Sequence, residues 1–119
     1  MNKGRKISSG KYHANRKTKK YEKKIQERVV TIKETKRKKI RTMGGNIKTV
    51  LLNADTCNLK TAKGIKKAKI KNVLQTPQNP FLARQNRLMK GAIIETSEGK
   101  ARITNRPTQE GQINAILIE

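Results

Sequence analysis

Uncompensated positive charge is the feature that most constrains this chain. Its 119 residues include 30 Lys and Arg against eight Asp and Glu, which gives a formal net charge of +22. Residues 1–41 carry +14, residues 42–91 carry +9 and residues 92–119 carry −1. Such a gradient indicates an acidic partner that is contacted mainly by the N-terminal two thirds. Nucleic acid is the commonest such partner, because each bound cation releases counterions condensed on its phosphates.

A scarcity of aromatic residues limits how a core can be built. Tyr12, Tyr21 and Phe81 are the only aromatic side chains, so the core must be formed from Ile, Val, Leu, Met and Ala. Proteins that bind single-stranded nucleic acid generally stack bases on aromatic side chains. The composition therefore disfavours base stacking and favours binding through backbone charge and shape.

Residues for catalysis or metal binding are also scarce. Cys57 and His13 are each the single residue of their type, which excludes an intrachain disulfide and a four-ligand zinc site of Cys and His. Asp55 is the only aspartate, and the glycines form neither a phosphate loop nor a dinucleotide fingerprint. We therefore expect no enzyme activity and no cofactor, with Cys57 as a buried, unreactive thiol in a reducing compartment.

No apolar run reaches the roughly 18 residues that span a bilayer, and the N-terminus lacks the apolar region of a signal peptide. These features predict a cytoplasmic protein without a membrane partner.

The N-terminal segment contains too few apolar residues to fold alone, and we expect residues 1–24 to be disordered in solution. Tyr21, Ile25 and Val29 are spaced by four, which is compatible with a short helix over residues 17–28 in a bound state. An extended tail is the alternative. The predicted organisation is a basic N-terminal extension over residues 1–27 and a nucleic-acid-binding β-barrel domain over residues 28–119.

The middle of the chain shows strand patterns and one strong turn signal. Residues 29–32 are a short strand candidate, and residues 39–53 predict a hairpin turning at Gly44, Gly45 and Asn46. Residues 66–74 alternate lysines with apolar residues, as in a half-buried strand. Residues 53–55 and the region around Gly64 are expected to be loops.

The C-terminal third has the clearest order. Asn79 and Pro80 predict a capped helical turn that runs through Arg84, and residues 92–104 predict a second hairpin. Residues 112–118 are nearly all apolar, which predicts a strand covered on both faces. The expected fold class is mostly β: a small barrel of five or six short antiparallel strands with a basic, largely irregular N-terminal extension.

Four basic groups carry the candidate phosphate contacts, and almost no acid accompanies them. Lys and Arg supply charge, and Arg also supplies a planar fork for two hydrogen bonds to one phosphate. A single basic run often marks only a solvated face, whereas four runs together indicate polyanion binding without sequence-specific readout. The predicted phosphate-binding residues, which become RNA-binding residues if the nucleic acid is RNA, are Arg5, Lys6, Lys11, Arg16, Lys17, Lys19, Lys20, Lys23, Lys24, Arg37, Lys38, Lys39, Arg41, Lys48, Lys67, Lys69, Lys71, Arg84, Arg87, Lys90 and Arg106.

Several blocks of the sequence resemble one known family. Residues 40–48 read IRTMGGNIK, and they are followed in order by similar blocks at residues 79–87, 90–96, 99–107 and 109–119. Together these blocks resemble the archaeal and eukaryotic-type small-subunit ribosomal protein family S8e. The N-terminus departs from the family pattern, because Gly4-Arg5-Lys6 lacks the usual preceding aromatic residue and no Pro-Ser-Gly-Gly stretch follows.

The resemblance implies a mostly β domain with a basic extension, bound to small-subunit ribosomal RNA as a structural component of a ribonucleoprotein in translation. It implies no catalysis and no required metal. Neighbouring ribosomal proteins are the other expected partners, with no small-molecule substrate and no homo-oligomer. Two alternatives remain open: a ribosome-assembly factor on precursor small-subunit particles, and a nonspecific DNA-coating protein.

Overall fold

A three-stranded sheet and a closed five-stranded barrel are joined in the computed structural model, which describes residues 4–24 and 26–118. The small sheet has the strand order β1, β3, β2, and the barrel follows the order β4 to β8. The elements are β1 Thr31–Ile32, β2 Lys36–Arg41, β3 Ile47–Ala54, β4 Thr56–Thr61, β5 Gly64–Gln75, α1 Pro80–Arg84, β6 Ile93–Thr96, β7 Gly99–Ile103 and β8 Asn114–Leu117.

The barrel closes through one parallel pair of strands. Neighbouring strands from β4 to β8 along the chain pair antiparallel, and β8 then lies parallel to β4 with Ala115 opposite Leu59. Closure removes the unpaired edges that an open sheet would expose. The prediction of a small, mostly β barrel is confirmed, with five strands in the barrel and the parallel pair as an addition to the antiparallel pattern.

Inside the barrel, large side chains are paired with small ones on the neighbouring strands. Leu59 and Ile103 both lie opposite Ala115, and Ile94 lies opposite Ala101. All five of these side chains are buried. A barrel of five strands has a narrow interior, so alternating aliphatic and alanine side chains fill it without overpacking.

A β-bulge in β5 keeps its apolar residues pointing inward. Ile70 is buried, Lys71 and Asn72 are both exposed, and Val73 is buried again. The pairing with β6 shifts between Ile70 and Asn72, so one extra residue is accommodated there. Because side chains alternate with period two, Val73 would point outward without this shift.

The turn between β2 and β3 depends on glycine. Gly44 and Gly45 have φ angles of 73° and 77°, a region that residues with a Cβ rarely adopt. The hairpin predicted over residues 39–53 is confirmed, and its strands extend further, from Lys36 to Ala54.

The base of this hairpin rests on the loop that leads into β8. Leu51 N donates to Pro107 O at 3.3 Å, and Arg37 Nε donates to Gly111 O at 2.6 Å. The approach at Gly111 is close, because a Cβ built there would lie 2.9 Å from Thr49 Cγ2. The loop therefore fixes the direction in which the hairpin leaves the barrel.

Three sequence expectations for the strands are wrong. Residues 53–55 were expected to form a loop, but Asn53 and Ala54 end β3, and Gly64 likewise begins β5. Residues 56–61, for which the sequence predicted no element, form β4, in which Cys57 and Leu59 point inward and the polar residues point outward. Two apolar residues are too few for the sequence to reveal a strand. The strand in residues 112–118 is real, but Ile116 and Ile118 are 46% and 39% exposed, so its outer face is uncovered.

The other predicted elements are present. Residues 29–32 contain the short strand β1, residues 92–104 contain the hairpin of β6 and β7, and residues 66–74 lie within β5. Asn79 Oδ1 accepts a hydrogen bond from Phe81 N at 3.0 Å and so caps α1, as its position before Pro80 predicts.

The N-terminal segment makes little regular structure over residues 4–24. It contains an isolated bridge between Arg5 and Lys11 and one turn of 3₁₀ helix at Lys20–Glu22. The bound-state helix proposed for residues 17–28 stays a prediction, since Ile25 lies outside the described residues. No helix in the described part of the chain has the length and apolar character needed to cross a membrane.

Replacing Gly111 with alanine tests the loop support. We expect Gly111→Ala to reduce the free energy of unfolding by about 1–3 kcal/mol, as overpacking usually does, because the new methyl group meets Thr49. Urea unfolding followed by circular dichroism measures the change.

The second substitution, Thr49→Ser, removes the methyl group that the new Cβ at position 111 would meet. It therefore serves as the compensating change for Gly111→Ala. Gly111→Ala combined with Thr49→Ser should cost less than the sum of the two single changes. Simple additivity would mean that the loop does not press against Thr49.

Candidate nucleic-acid interface

The predicted RNA-binding cations lie on the surface with a single exception. Twenty of the 21 side chains are exposed, from the N-terminal segment through Arg106, and only Arg87 is half-buried. Exposure leaves their charged groups available to a polyanion, whereas burial would require an internal partner.

Very few of these charges are neutralised within the protein. Among the described residues two ion pairs occur, Arg16 with Glu22 and Arg87 with Glu27. The remaining predicted cations therefore lack an acidic partner within ion-pairing distance in that part of the chain. Clustered like charges of this kind create a positive potential that attracts phosphate.

A row of lysines follows the outer face of β5. Lys67, Lys69 and Lys71 are exposed, while Ala68 and Ile70 between them are buried in the barrel. Alternation along the strand places the three ammonium groups on one side at intervals of about 7 Å, two residues apart. The spacing is similar to that of successive phosphates on a nucleic-acid strand, so the row can follow a backbone.

The small sheet presents a second basic surface along its outer strand. Strand β2 pairs only with β3 and forms the edge of the sheet. Its sequence is KRKKIR, and every residue except Ile40 is exposed. Charged residues on an edge strand prevent pairing with another sheet, and here the same residues make the edge suitable for phosphate. Lys36 belongs to this surface although it was not among the predicted contacts; its place in the basic run 36–39 was the available signal.

The hairpin tip combines apolar and basic side chains. Met43 and Ile47 are 88% and 67% exposed, and Arg41 lies directly opposite Ile47 on the neighbouring strand. Lys48 follows, and its Nζ donates to Gln109 Oε1 at 3.3 Å. The tip can therefore contact both phosphates and the less polar sugar surface of a nucleic acid.

Arg87 has a structural position that the sequence did not reveal. Its backbone bridges to Thr31, and its Nη1 lies 3.5 Å from Glu27 Oε1. Leu88 N also donates to Val30 O at 2.9 Å. Arg87 thus helps to join the chain before β1 to the segment after α1. The acid that it pairs with is 60 positions away, which local sequence patterns cannot indicate.

The remaining predicted cations near α1 and β8 are exposed. Arg84 ends α1. Lys90 lies in the turn before β6, and its carbonyl oxygen accepts a hydrogen bond from Gln78 Nε2 at 2.8 Å. Arg106 belongs to the loop that supports the hairpin, and its carbonyl oxygen accepts from Gln109 N at 3.0 Å. These three residues come from a part of the sequence far from the N-terminal segment. The candidate interface is therefore built from several separate stretches of the chain.

Asp55 is an acid within this basic surface, and it ties the two sheets together. Its carboxylate accepts a hydrogen bond from the Thr35 hydroxyl, and its carbonyl oxygen accepts from Ile70 N at 2.8 Å. The hydrogen bond from Thr35 lowers the pKa of Asp55 below its ordinary value of 3.8, and the charge of Lys69 lowers it further, although partial burial opposes both effects.

Cys57 does not have the properties of a reactive thiol. Its side chain is buried in the barrel, and burial raises the pKa of the thiol above its ordinary value. A raised pKa reduces the thiolate fraction and with it the nucleophilicity. The expectation of a buried cysteine is confirmed. Within residues 4–24 and 26–118, no group of three or more His, Cys, Asp or Glu residues is placed to bind a metal.

Protonating Asp55 should weaken the fold. Since its pKa is lower in the folded state than in the unfolded chain, the stabilisation is fully present only well above the unfolded value of 3.8, at about pH 5 and higher. It is lost as the pH falls through the folded pKa. We expect the wild type to lose more free energy of unfolding between pH 5 and pH 2 than Asp55→Asn does. Urea unfolding at each pH gives the comparison.

The control is Glu98→Gln, which removes one exposed carboxylate from the turn after β6. It should lose stability with pH as the wild type does. If Asp55→Asn and the wild type had the same pH dependence, the Thr35 hydrogen bond would have no energetic role.

Comparison with known proteins gives a consistent match. The family model described as Ribosomal protein S8e matches residues 1–118. The chain is 43% identical over 118 residues to the small ribosomal subunit protein eS8 of Methanocorpusculum labreanum, 41% identical over 117 residues to that of Methanosarcina barkeri and 38% identical over 115 residues to that of Haloarcula marismortui. Each alignment covers 97% of this chain and 94% of the relative.

Proposed function

This chain belongs to the ribosomal protein S8e family, whose members are structural components rather than enzymes, and we propose that it is a constituent of the small ribosomal subunit that binds ribosomal RNA. The resemblance was noted in residues 40–119, and the family match over residues 1–118 adds the N-terminal segment to it. Three relatives similar along nearly their whole length carry the name of a small-subunit protein. The corresponding location is the cytoplasmic ribosome, and the role is a supporting one in translation.

One observation carries the RNA-binding part of the proposal: exposed cations without internal partners. Twenty of the 21 predicted contact residues are exposed, and two of the 21 form ion pairs within the described chain. A net charge of +22 destabilises the compact state through repulsion among the cations. An external polyanion that neutralises these cations removes the repulsion. Ribosomal RNA supplies phosphate charge at the required density.

The arrangement of the cations favours contact with the RNA backbone. Lys67, Lys69 and Lys71 lie on one face of β5, the β2 edge is almost wholly basic, and neither presents a constellation of Asn, Gln and Arg that would read base edges. Contacts to phosphates position a protein but carry no sequence information. Specificity for a site then comes from the shape of the folded RNA.

We assign different roles to the two parts of the chain. Residues 1–27 serve as a basic extension that follows RNA, and residues 28–119 form the β-barrel RNA-binding domain that docks against it. The Cα radius of gyration of 22.0 Å, against about 13.5 Å for a compact chain of this length, supports an extension that reaches away from the barrel. Neighbouring ribosomal proteins complete the binding environment.

Deleting the extension should flatten the salt dependence of RNA binding. Residues 1–27 contain ten of the 30 cations. If half of them contact phosphates, the slope of log K against log salt should fall by about 4, at roughly 0.7–0.9 per phosphate. Filter binding of purified small-subunit ribosomal RNA over a series of KCl concentrations measures the slope. A slope equal to that of the full chain would mean that the extension does not contact RNA.

Neutralising the lysine row tests the barrel surface separately. Replacing Lys67, Lys69 and Lys71 with glutamine should reduce the salt slope by about 2 if all three contact phosphates. The matched control replaces Lys60, Lys100 and Arg102 with glutamine, which removes the same charge from exposed positions outside the predicted set.

The comparison between the two triple variants decides whether the interface is local. We expect a clearly smaller change in slope for the control. Equal changes would show that net charge alone, and not the β5 face, determines binding.

Sedimentation distinguishes the proposed role from its alternatives. We expect the protein to remain with small subunits and translating ribosomes in sucrose gradients at elevated salt. Enrichment in precursor particles and absence from translating ribosomes would favour an assembly factor. Equal affinity for duplex DNA and ribosomal RNA in a competition experiment would favour a DNA-coating protein.

A further inference from the structure

All three aromatic side chains of the chain lie outside the core. Tyr12, Tyr21 and Phe81 are 68%, 77% and 63% exposed, whereas the buried cluster contains only aliphatic residues and Cys57. Phenylalanine is normally among the residues that proteins bury most often. The aromatic residues are therefore not used for core packing. Their scarcity disfavours base stacking as the general mode of binding, which a single stacking site does not contradict.

Phe81 is held in a defined position at the surface. It is the second residue of α1, where its backbone N–H donates to the capping side chain of Asn79 at 3.0 Å. Ala83, two residues later, is buried against the barrel, and Gln85 N donates to Phe81 O at 3.3 Å. The ring is consequently presented by an anchored turn and not by a flexible loop.

A cation lies over the Phe81 ring. Arg84 Cζ is 5.5 Å from the ring centroid, within the distance of a cation–π contact. Arg84 is exposed and forms no ion pair with an acid among the described residues. Aromatic rings and guanidinium planes are the surfaces on which proteins stack unpaired bases, and this site contains one of each.

The chain segment that contains this pair carries positive charge only, and Glu27, which approaches the segment at Arg87, forms an ion pair there. No Asp or Glu occurs between Asp55 and Glu95. The segment of Lys90 is drawn toward α1 by the hydrogen bond from Gln78 Nε2 to Lys90 O at 2.8 Å. A phosphate attached to a stacked base would find cations nearby and no carboxylate of this segment to repel it.

Given the RNA-binding function proposed above, on which this inference rests, we propose that Phe81 and Arg84 form a stacking site for one unpaired base of the RNA. A base within a continuous helix has both faces occupied by its neighbours, so the ligand is a bulged, looped or terminal base. The exposed ring supplies the π face, and Arg84 contributes a second plane and a phosphate contact. An apolar protein surface would gain from the ring but would bury the Arg84 charge without compensation.

The test compares variants that keep or remove the aromatic face. Phe81→Leu keeps an apolar side chain but loses the π system, and Phe81→Trp keeps it. Binding of the full-length chain to purified small-subunit ribosomal RNA from the source organism is measured at several KCl concentrations. We expect Phe81→Leu to bind about 5-fold to 140-fold more weakly, the range for loss of one stacked base, and Phe81→Trp to retain affinity.

Salt dependence separates stacking from charge. Because stacking releases no counterions, Phe81→Leu should lower affinity by the same factor at every salt concentration and leave the slope unchanged. Arg84→Gln should instead reduce the slope by about 0.7–0.9. The matched control is Ile65→Ala, which truncates another exposed apolar side chain, 75% exposed on β5, and should bind as the wild type does.

Direct contact is checked by ultraviolet crosslinking of the same complex followed by mass spectrometry. We expect a nucleotide adduct on Phe81 or an adjacent residue. Wild-type affinity of Phe81→Leu would overturn the stacking site, as would equal losses in Phe81→Leu and Phe81→Trp. If Phe81→Leu bound RNA normally but entered small subunits poorly, the ring would contact a protein and the inference would also be wrong.

These outcomes are distinguishable from failure of the proposed function. If the wild-type chain itself showed no salt-dependent binding to ribosomal RNA, the functional proposal would fail first. If the wild type bound with a steep salt dependence while Phe81→Leu matched it, only the stacking site would be lost. Thermal unfolding of each variant confirms that the fold is retained, which the exposure of Phe81 leads us to expect.

Discussion

Repulsion among like charges governs how this chain can fold. With 30 cations and eight acids, the protein cannot neutralise itself. A buried cation needs an acidic partner, and most of the cations would have none. Nearly all of the predicted contact residues lie at the surface. Among residues 4–24 and 26–118, the buried side chains are aliphatic residues, two threonines, a proline and one cysteine. The barrel is therefore small because few residues remain to build it, and closure lets so small a core dispense with exposed edges.

The same constraint explains how the barrel presents its charges. Strand β5 alternates lysines with buried residues, and a bulge at Lys71 and Asn72 restores the alternation where it would otherwise place Val73 in solvent. The hairpin of β2 and β3 carries the second basic surface, and the loop around Gly111 fixes its direction. The packing of the core and the position of the exposed cations thus depend on the same backbone irregularities. An altered register would move both sets of side chains together.

Local signals in the sequence predicted the elements that local chemistry determines. The turn at Gly44 and Gly45 and the cap at Asn79 were predicted correctly, because positive φ and side-chain capping are properties of a few adjacent residues. The family resemblance in residues 40–119 was confirmed by the match over residues 1–118. The sequence also indicated that Cys57 would be buried, which its position in β4 confirms.

Long-range features were not accessible in the same way. Pairing of β8 with β4 joins Ala115 to Leu59 across more than 50 positions, and no local pattern indicates such a partner. Strand β4 contributes only two buried residues, and the contact of Arg87 with Glu27 depends on how the segments before β1 and after α1 meet. Apolar composition around Ile116 indicated a strand but not whether its outer face would be covered. Exposure of Phe81 likewise follows from the placement of α1 and not from residue type.

The central claim is that the uncompensated cations contact phosphates of ribosomal RNA. A cryo-electron microscopy map of small subunits isolated from the source organism tests it most directly. The account predicts that the β2 edge and the Lys67, Lys69 and Lys71 row face RNA, with their charged groups at ion-pairing distance from phosphate oxygens. Subunits in which both surfaces face solvent or protein, or in which the chain is absent, would contradict it.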